Sequence, residues 1–162
     1  MGAPLSNVVY VLTIPVQTSV RNGHRDIATI LEAIGVNVVA PLVWGVQNID
    51  CTGINVQDFC ERVHNAPGNR LLISGWQMLE LSQVFVQTIE GIFIGYRSEE
   101  DAQEFLEQGW SLVCLSTSSA EFAIRAVDGE SFDVYLRARA LAEHIMHHFP
   151  DARWEDPAQF GI

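Results

Sequence analysis

The chain has 162 residues, 48% of them hydrophobic, and a formal net charge of −11. That length fits one domain, which buries roughly two-thirds of its unfolded surface, so neither a disulfide nor a metal is needed to complete a core. Against 20 acids stand nine bases, all arginine; no cluster of positive charge is present to release counterions from nucleic acid or to hold an anionic membrane.

In chain order, Asn7 to Ile14 reads as a buried strand. Residues 19–34 read as a helix, with Ile27, Ile30, Leu31 and Ile34 at helical spacing and Gly35 as the stop. The apolar, β-branched run from Val36 to Trp44 predicts a second strand, in which Pro41 implies an edge or a bulge. Residues 45–54 read as a loop. A short helix over 55–65 follows, with Val56, Phe59, Cys60 and Val63 on one face, and Asn65 to Asn69 is a turn. Arg70 to Ser74 reads as a strand. Residues 76–90 fit either a helix (Leu81, Phe85, Ile89) or a strand (Val84, Val86, Thr88), and length favours the helix. Gly91 to Tyr96 is a short strand. Ser98 to Asp101 reads as a capping box that opens a helix to Gln108, stopped by Gly109. Trp110 to Leu115 is another strand. Two alternating runs, Glu121 to Val127 and Ser131 to Tyr135, flank Asp128-Gly129 and predict a β-hairpin. A helix over 138–149 turns Leu141, Ile145 and Phe149 inward, Pro150 stops it, and residues 151–162 form an acidic, aromatic tail. Strand–helix alternation followed by a hairpin predicts a single α+β domain, 1–162: a mixed β-sheet with helices packed on it.

Charge is uneven along the chain. Residues 1–81 carry −2 and residues 82–162 carry −9. The densest patch is Glu99, Glu100, Asp101, Glu104 and Glu107, which a solvated, dipole-stabilised helix face explains in part. The tail adds Glu155, Asp156 and Trp154, an aromatic of the kind that anchors interfaces. These eight residues are the expected partner-binding set, facing a basic protein.

Conventional catalytic chemistry is not apparent. Three cysteines, Cys51, Cys60 and Cys114, make an odd number without a regular framework, which points to thiols in a reducing compartment and a cytoplasmic location; a Cys51–Cys60 bridge stays open. Cys114 sits in a predicted strand, where burial would raise its pKa and silence it as a nucleophile. His144, His147 and His148 share one predicted helix, and Cys60 and His64 lie four apart, yet neither group has the ligand set zinc needs; no metal and no cofactor are expected. His24-Arg25-Asp26 lacks the glycine-rich loop of a kinase, and no Walker loop, G-x-G-x-x-G or G-x-S-x-G occurs. Met1 to Ser6 fits the myristoylation pattern loosely, but no basic patch supports anchoring. The first residues lack the basic start of a secretory signal, and Thr13, Pro15, Gln17 and Thr18 break the apolar run, so no membrane role is expected.

One stretch resembles a known group. Ser74-Gly-Trp76, Glu90 to Gly95, Glu121 to Gly129, Phe132 to Tyr135 and Phe149 to Ala152 are, in this arrangement, similar to immunity proteins of bacterial polymorphic toxin and type VI secretion systems. The resemblance covers about residues 73–152 and rests mainly on core and turn positions. It implies a non-catalytic protein that blocks a cognate toxin in the producer's cytoplasm by direct binding. Such proteins are often acidic because many toxin domains are basic nucleases. Two alternatives stand beside it. One is a small enzyme or ligand-binding domain with a pocket in the N-terminal half, using His24, Cys60 and His64. The other takes a second copy of the chain as partner, in a homodimer.

Overall fold

The computed structural model of the chain describes residues 8–16, 27–110, 118–160 and 162. Among them are seven strands and six α-helices: β1 (Tyr10–Pro15), α1 (Ile27–Ile34), α2 (Val36–Val39), β2 (Val43–Gly53), α3 (Gln57–Asn65), β3 (Arg70–Ser74), α4 (Gly75–Val84), β4 (Phe85–Tyr96), α5 (Glu99–Gln108), β5 (Phe122–Val127), β6 (Ser131–Leu136), α6 (Arg139–His148) and β7 (Arg153–Glu155). The strands form one sheet in the order β3-β2-β4-β5-β6-β1-β7. The α+β class follows directly.

The sheet is antiparallel at every pairing, not mixed. The reason lies in the connections. β3 and β4 run the same way, joined by α4, but β2 is inserted between them and pairs with both. Likewise β6 and β7 run the same way, joined by α6, with β1 between them. Each strand–helix–strand unit is thus split by a third strand, so the alternation visible in sequence produces no parallel ladder.

Among the described residues, helices cover both faces unequally. On the first face Ile30 and Leu31 of α1, Phe59 and Val63 of α3, Met78 of α4 and Ile145 of α6 pack on Leu12, Trp44, Phe93, Ile124 and Val134 of the sheet. On the second, Ala102 and Phe105 of α5 join Val11, Ile94, Ala123 and Tyr135. Burying apolar area on both faces at about 25 cal/mol per Å² is what holds the layers together. Gly45 in β2 is required by α5, because a Cβ there would stand 2.6 Å from the buried Phe105 ring.

Several predicted elements are corrected. Val36 to Val39 is a helical turn, not a strand. Gly35 breaks the chain out of α1, the amides of Val38 and Val39 both donate to its carbonyl, and the fully buried Trp44 donates its indole N–H to Val39 O at 3.2 Å. Tertiary demand for a tight connection overrides the β preference of three valines. Pro41 then lies in the turn before β2, at no edge or bulge. Residues 45–53 are strand rather than loop. Their polar residues sit where β2 is bulged, with register shifts between Gln47 and Asp50, Asp50 and Cys51, and Thr52 and Gly53. Residues 76–90 are both alternatives in succession: α4 ends at Val84 and β4 begins at Phe85. A full capping box starts α4, with Ser74 Oγ accepting from Gln77 N at 3.1 Å and Gln77 Oε1 accepting from Ser74 N at 2.9 Å.

The hairpin of β5 and β6 is present, turning on Asp128 and Gly129, both at positive φ (50° and 68°). Helices α3, α5 and α6 and strand β3 also stand where the sequence predicts them. The predicted helix of 19–34 is described only from Ile27, and the predicted strand at 110–115 lies, beyond Trp110, outside the described residues. The tail is built into the sheet: β7 pairs with β1, with Trp154 opposite Leu12.

Candidate functional site

Helix α5 carries most of the predicted acidic patch. Ser98 caps it, its Oγ accepting from Asp101 N at 3.1 Å, which leaves three acids in the first turn beside the positive end of the helix dipole. The reciprocal half of a capping box is not formed among the described residues. Ala102 and Phe105 face the sheet, so Glu99, Glu100 and Glu107 point outward and are exposed, while Asp101 is half-buried. The three outward carboxylates enter no ion pair among the described residues.

Glu104 is different. One of its oxygens accepts from Ser118 Oγ at 2.8 Å, Ser119 N at 2.9 Å and Ser119 Oγ at 2.9 Å. The same short segment is gripped from the other side by Arg137, which is buried and donates to Ala120 O and Ser118 O at 2.7 Å each. Burial lowers the Arg137 pKa, and the charges of Glu121 and Glu104 oppose that shift. Glu104 is therefore a strut between α5 and the approach to β5, a role its spacing in sequence does not distinguish from its neighbours'.

The tail residues are not brought to the same surface. Trp154 lies in register with Leu12, on the first face of the sheet, half-exposed and edge-on to Tyr10 at 6.1 Å. Helix α5 covers the second face. Glu155 is in register with Val11 on that second face, 3.9 Å from Arg153, at the far edge strand. Asp156 caps the final 3-10 turn by accepting from Ala158 N at 3.0 Å. The eight predicted residues thus fall into two groups, and only the outward acids of α5 form a compact set.

Between the acids and the far edge, the second face holds a polar row, buried at Thr13 and Asp133 and half-buried at Arg125. Thr13, Asp133 and Arg125 lie in register across β1, β6 and β5, with Thr13 Oγ1 donating to Asp133 Oδ1 at 3.0 Å. Burial raises the Asp133 pKa; the Thr13 hydrogen bond and the Arg125 charge act against it, and Glu155 adds to it. Tyr135 stands between Trp110 and Phe160, its ring 5.4 and 6.0 Å from theirs. Its hydroxyl is buried and, among the described residues, makes no hydrogen bond of ordinary geometry. Burial, then the Asp133 charge, raises its pKa, while Arg125 lies near enough to oppose the shift.

A second candidate lies at the bulged end of β2. There the strand, the turn at 54–56 and α3 enclose an open cleft of about 630 Å³ lined by Asp50, Cys51, Asp58, Cys60 and His64. Cys51 Sγ and Cys60 Sγ are 3.2 Å apart, in thiol hydrogen-bond contact. His64 Nε2 lies 2.9 Å from Ile49 O; a carbonyl only accepts, so Nε2 carries the proton. The predicted pairing of Cys60 with His64 is thus placed at one cleft, whereas His24 lies outside the described residues. A shallower groove of about 380 Å³ follows on the other side of α3, floored by Phe59, Ile73 and Leu81. Cys51 joins Cys60 and His64 at this cleft because residues 45–53, which read as loop in sequence, are strand.

On α6, His144 and His148 have ring centroids 4.6 Å apart and His148 Nδ1 lies 3.2 Å from His144 O; both rings are exposed. No group of three or more metal-ligating side chains is assembled among the described residues. No described helix is long and apolar enough to cross a membrane.

The molecule is, at this level, an α+β protein with a split, fully antiparallel sheet and an acidic helix on its less covered face. A scan of protein-family models finds none that matches, and searches of curated proteins and of solved structures likewise find no match.

Proposed function

We propose that this chain is a non-catalytic binding protein that engages a basic protein partner through the outer face of α5, in the manner of an immunity protein neutralising its cognate toxin. The observation that carries the reading is the row of Glu99, Glu100 and Glu107, exposed on one rigid helix and uncompensated by neighbouring bases among the described residues. A helix packed on a sheet presents such charges with little ordering cost, and their field steers a basic partner. The resemblance to immunity proteins in residues 73–152 agrees with it, and the formal charge of −11 adds to the attraction. Trp154, on the opposite face of the sheet, lies outside the proposed surface in this reading.

The test is affinity capture from the native host at low and high salt, followed by expression of the captured partner with and without this chain. The expected result is one dominant basic partner, released by salt, whose toxicity this chain relieves. Reversing the three charges (E99K, E100K and E107K together) should abolish capture. Neutralisation that survives the triple reversal would remove α5 from the account.

A second reading rests on the cleft beside α3. It makes the chain a small-ligand-binding domain, because Cys60 and His64, two of the three residues that alternative names, line one open, partly polar cleft. It predicts that some small molecule raises Tm of the native chain and that H64A, on an exposed side chain, removes the effect. A broad metabolite screen without a shift would count against it.

A further inference from the structure

We propose that Cys51 and Cys60 form a reversible intramolecular disulfide that ties the bulged tail of β2 to α3 across the wall of the cleft. The sulfurs already stand 3.2 Å apart, so bonding at about 2.05 Å needs a net approach of only ~1.2 Å. Their settings differ in compliance. Cys60 is held in α3, whose Phe59 and Val63 are buried in the core. Cys51 pairs with Thr88 of β4 but sits between two register shifts, and a bulged strand end absorbs such a movement at small cost. Both side chains are half-buried and line the open cleft, so a small reagent reaches them from solvent.

The reaction balances with a low-molecular-weight disulfide as oxidant. A thiolate of one cysteine attacks it, one sulfur leaves as a small thiol, and the second cysteine displaces the mixed disulfide. Two protein thiols lose two protons and two electrons, the reagent's S–S bond breaks, and two small thiols are released. The second step is intramolecular and outruns capture by another small molecule, because its two sulfurs are already in contact.

The sequence makes the test direct. With no lysine in the chain, trypsin cuts only after arginine, and cuts after Arg25 and Arg62 place Cys51 and Cys60 in one peptide, 26–62, while Cys114 falls in 98–125. The native full chain is exposed to oxidised glutathione, blocked with N-ethylmaleimide, digested and weighed. The expected peptide 26–62 is unlabelled and lighter by two hydrogens, and dithiothreitol before blocking restores a doubly labelled form. Closing this short loop constrains the unfolded chain, so Tm of the oxidised protein should rise by about 5–10 °C, a rise that C51S and C60S should lack. Peptide 26–62 carrying N-ethylmaleimide or glutathione after the exposure, or joined to 98–125, would overturn the proposal. So would a cross-link that lowers Tm, since the pair would then not be preset for bonding. Neither readout depends on the binding partner.

Discussion

Glu104 and its neighbours on α5 look alike in sequence and behave differently in the fold. Three hydrogen bonds converge on one Glu104 oxygen, and hydrogen bonds to a charged acceptor contribute more than neutral ones. E104A should therefore cost about 1.5–3 kcal/mol in urea unfolding while leaving partner affinity nearly unchanged; Glu100→Ala should do the reverse. Asp133 gives a pH signature. Its folded pKa is raised above the ordinary 3.8, chiefly by burial, so the folded chain holds the proton more tightly than the unfolded one. That contribution is present at low pH and is lost as pH rises from about 3.8 through the raised folded value. D133N keeps an oxygen for Thr13 but cannot ionise. Measured against the wild type by urea unfolding, its relative stability should rise between pH 4 and pH 7. A flat or falling difference would show that Thr13 and Arg125 compensate the buried carboxylate fully.

At the scale of elements, local chemistry decided some boundaries and tertiary packing others. The start of α5 was legible because Ser98 and three acids form a cap that needs no distant partner. S98A should lower stability by about 1 kcal/mol, read from the urea midpoint at constant m-value. The hairpin was legible for the same reason, since Asp128 and Gly129 accept positive φ. Val36 to Val39 was not, because its helical turn depends on Trp44 reaching back to Val39 O. Nor was β2, whose polar bulged half is held as strand by β4 on one side and β3 on part of the other. The cap of α4 was legible in principle: Ser74-Gly-Trp-Gln77 is a serine followed three residues later by glutamine. Its signal was masked by the β-branched residues of the strand that directly follows.

For the whole molecule, class and hairpin could be read from pattern, but strand order could not. A split strand–helix–strand unit has the same sequence alternation as a parallel one, and only the inserted β1 and β2 distinguish them. The candidate surface was read in part. The outward acids of α5 follow from helical spacing, whereas the separation of Trp154 from them depends on β7 joining β1 in a register that places Trp154 opposite Leu12. The excess of charge is a property of the whole chain, and its reach in solution is about 10 Å at 0.1 M salt. Association driven by it must weaken as salt rises. The most direct test is the Kd of the captured partner for the wild type and for the triple charge reversal on α5, measured from about 0.05 to 0.3 M salt. The account predicts that wild-type affinity falls by about tenfold or more over that range and that the reversal variant binds weakly with little salt dependence. Equal affinity and equal salt dependence in the two proteins would contradict it.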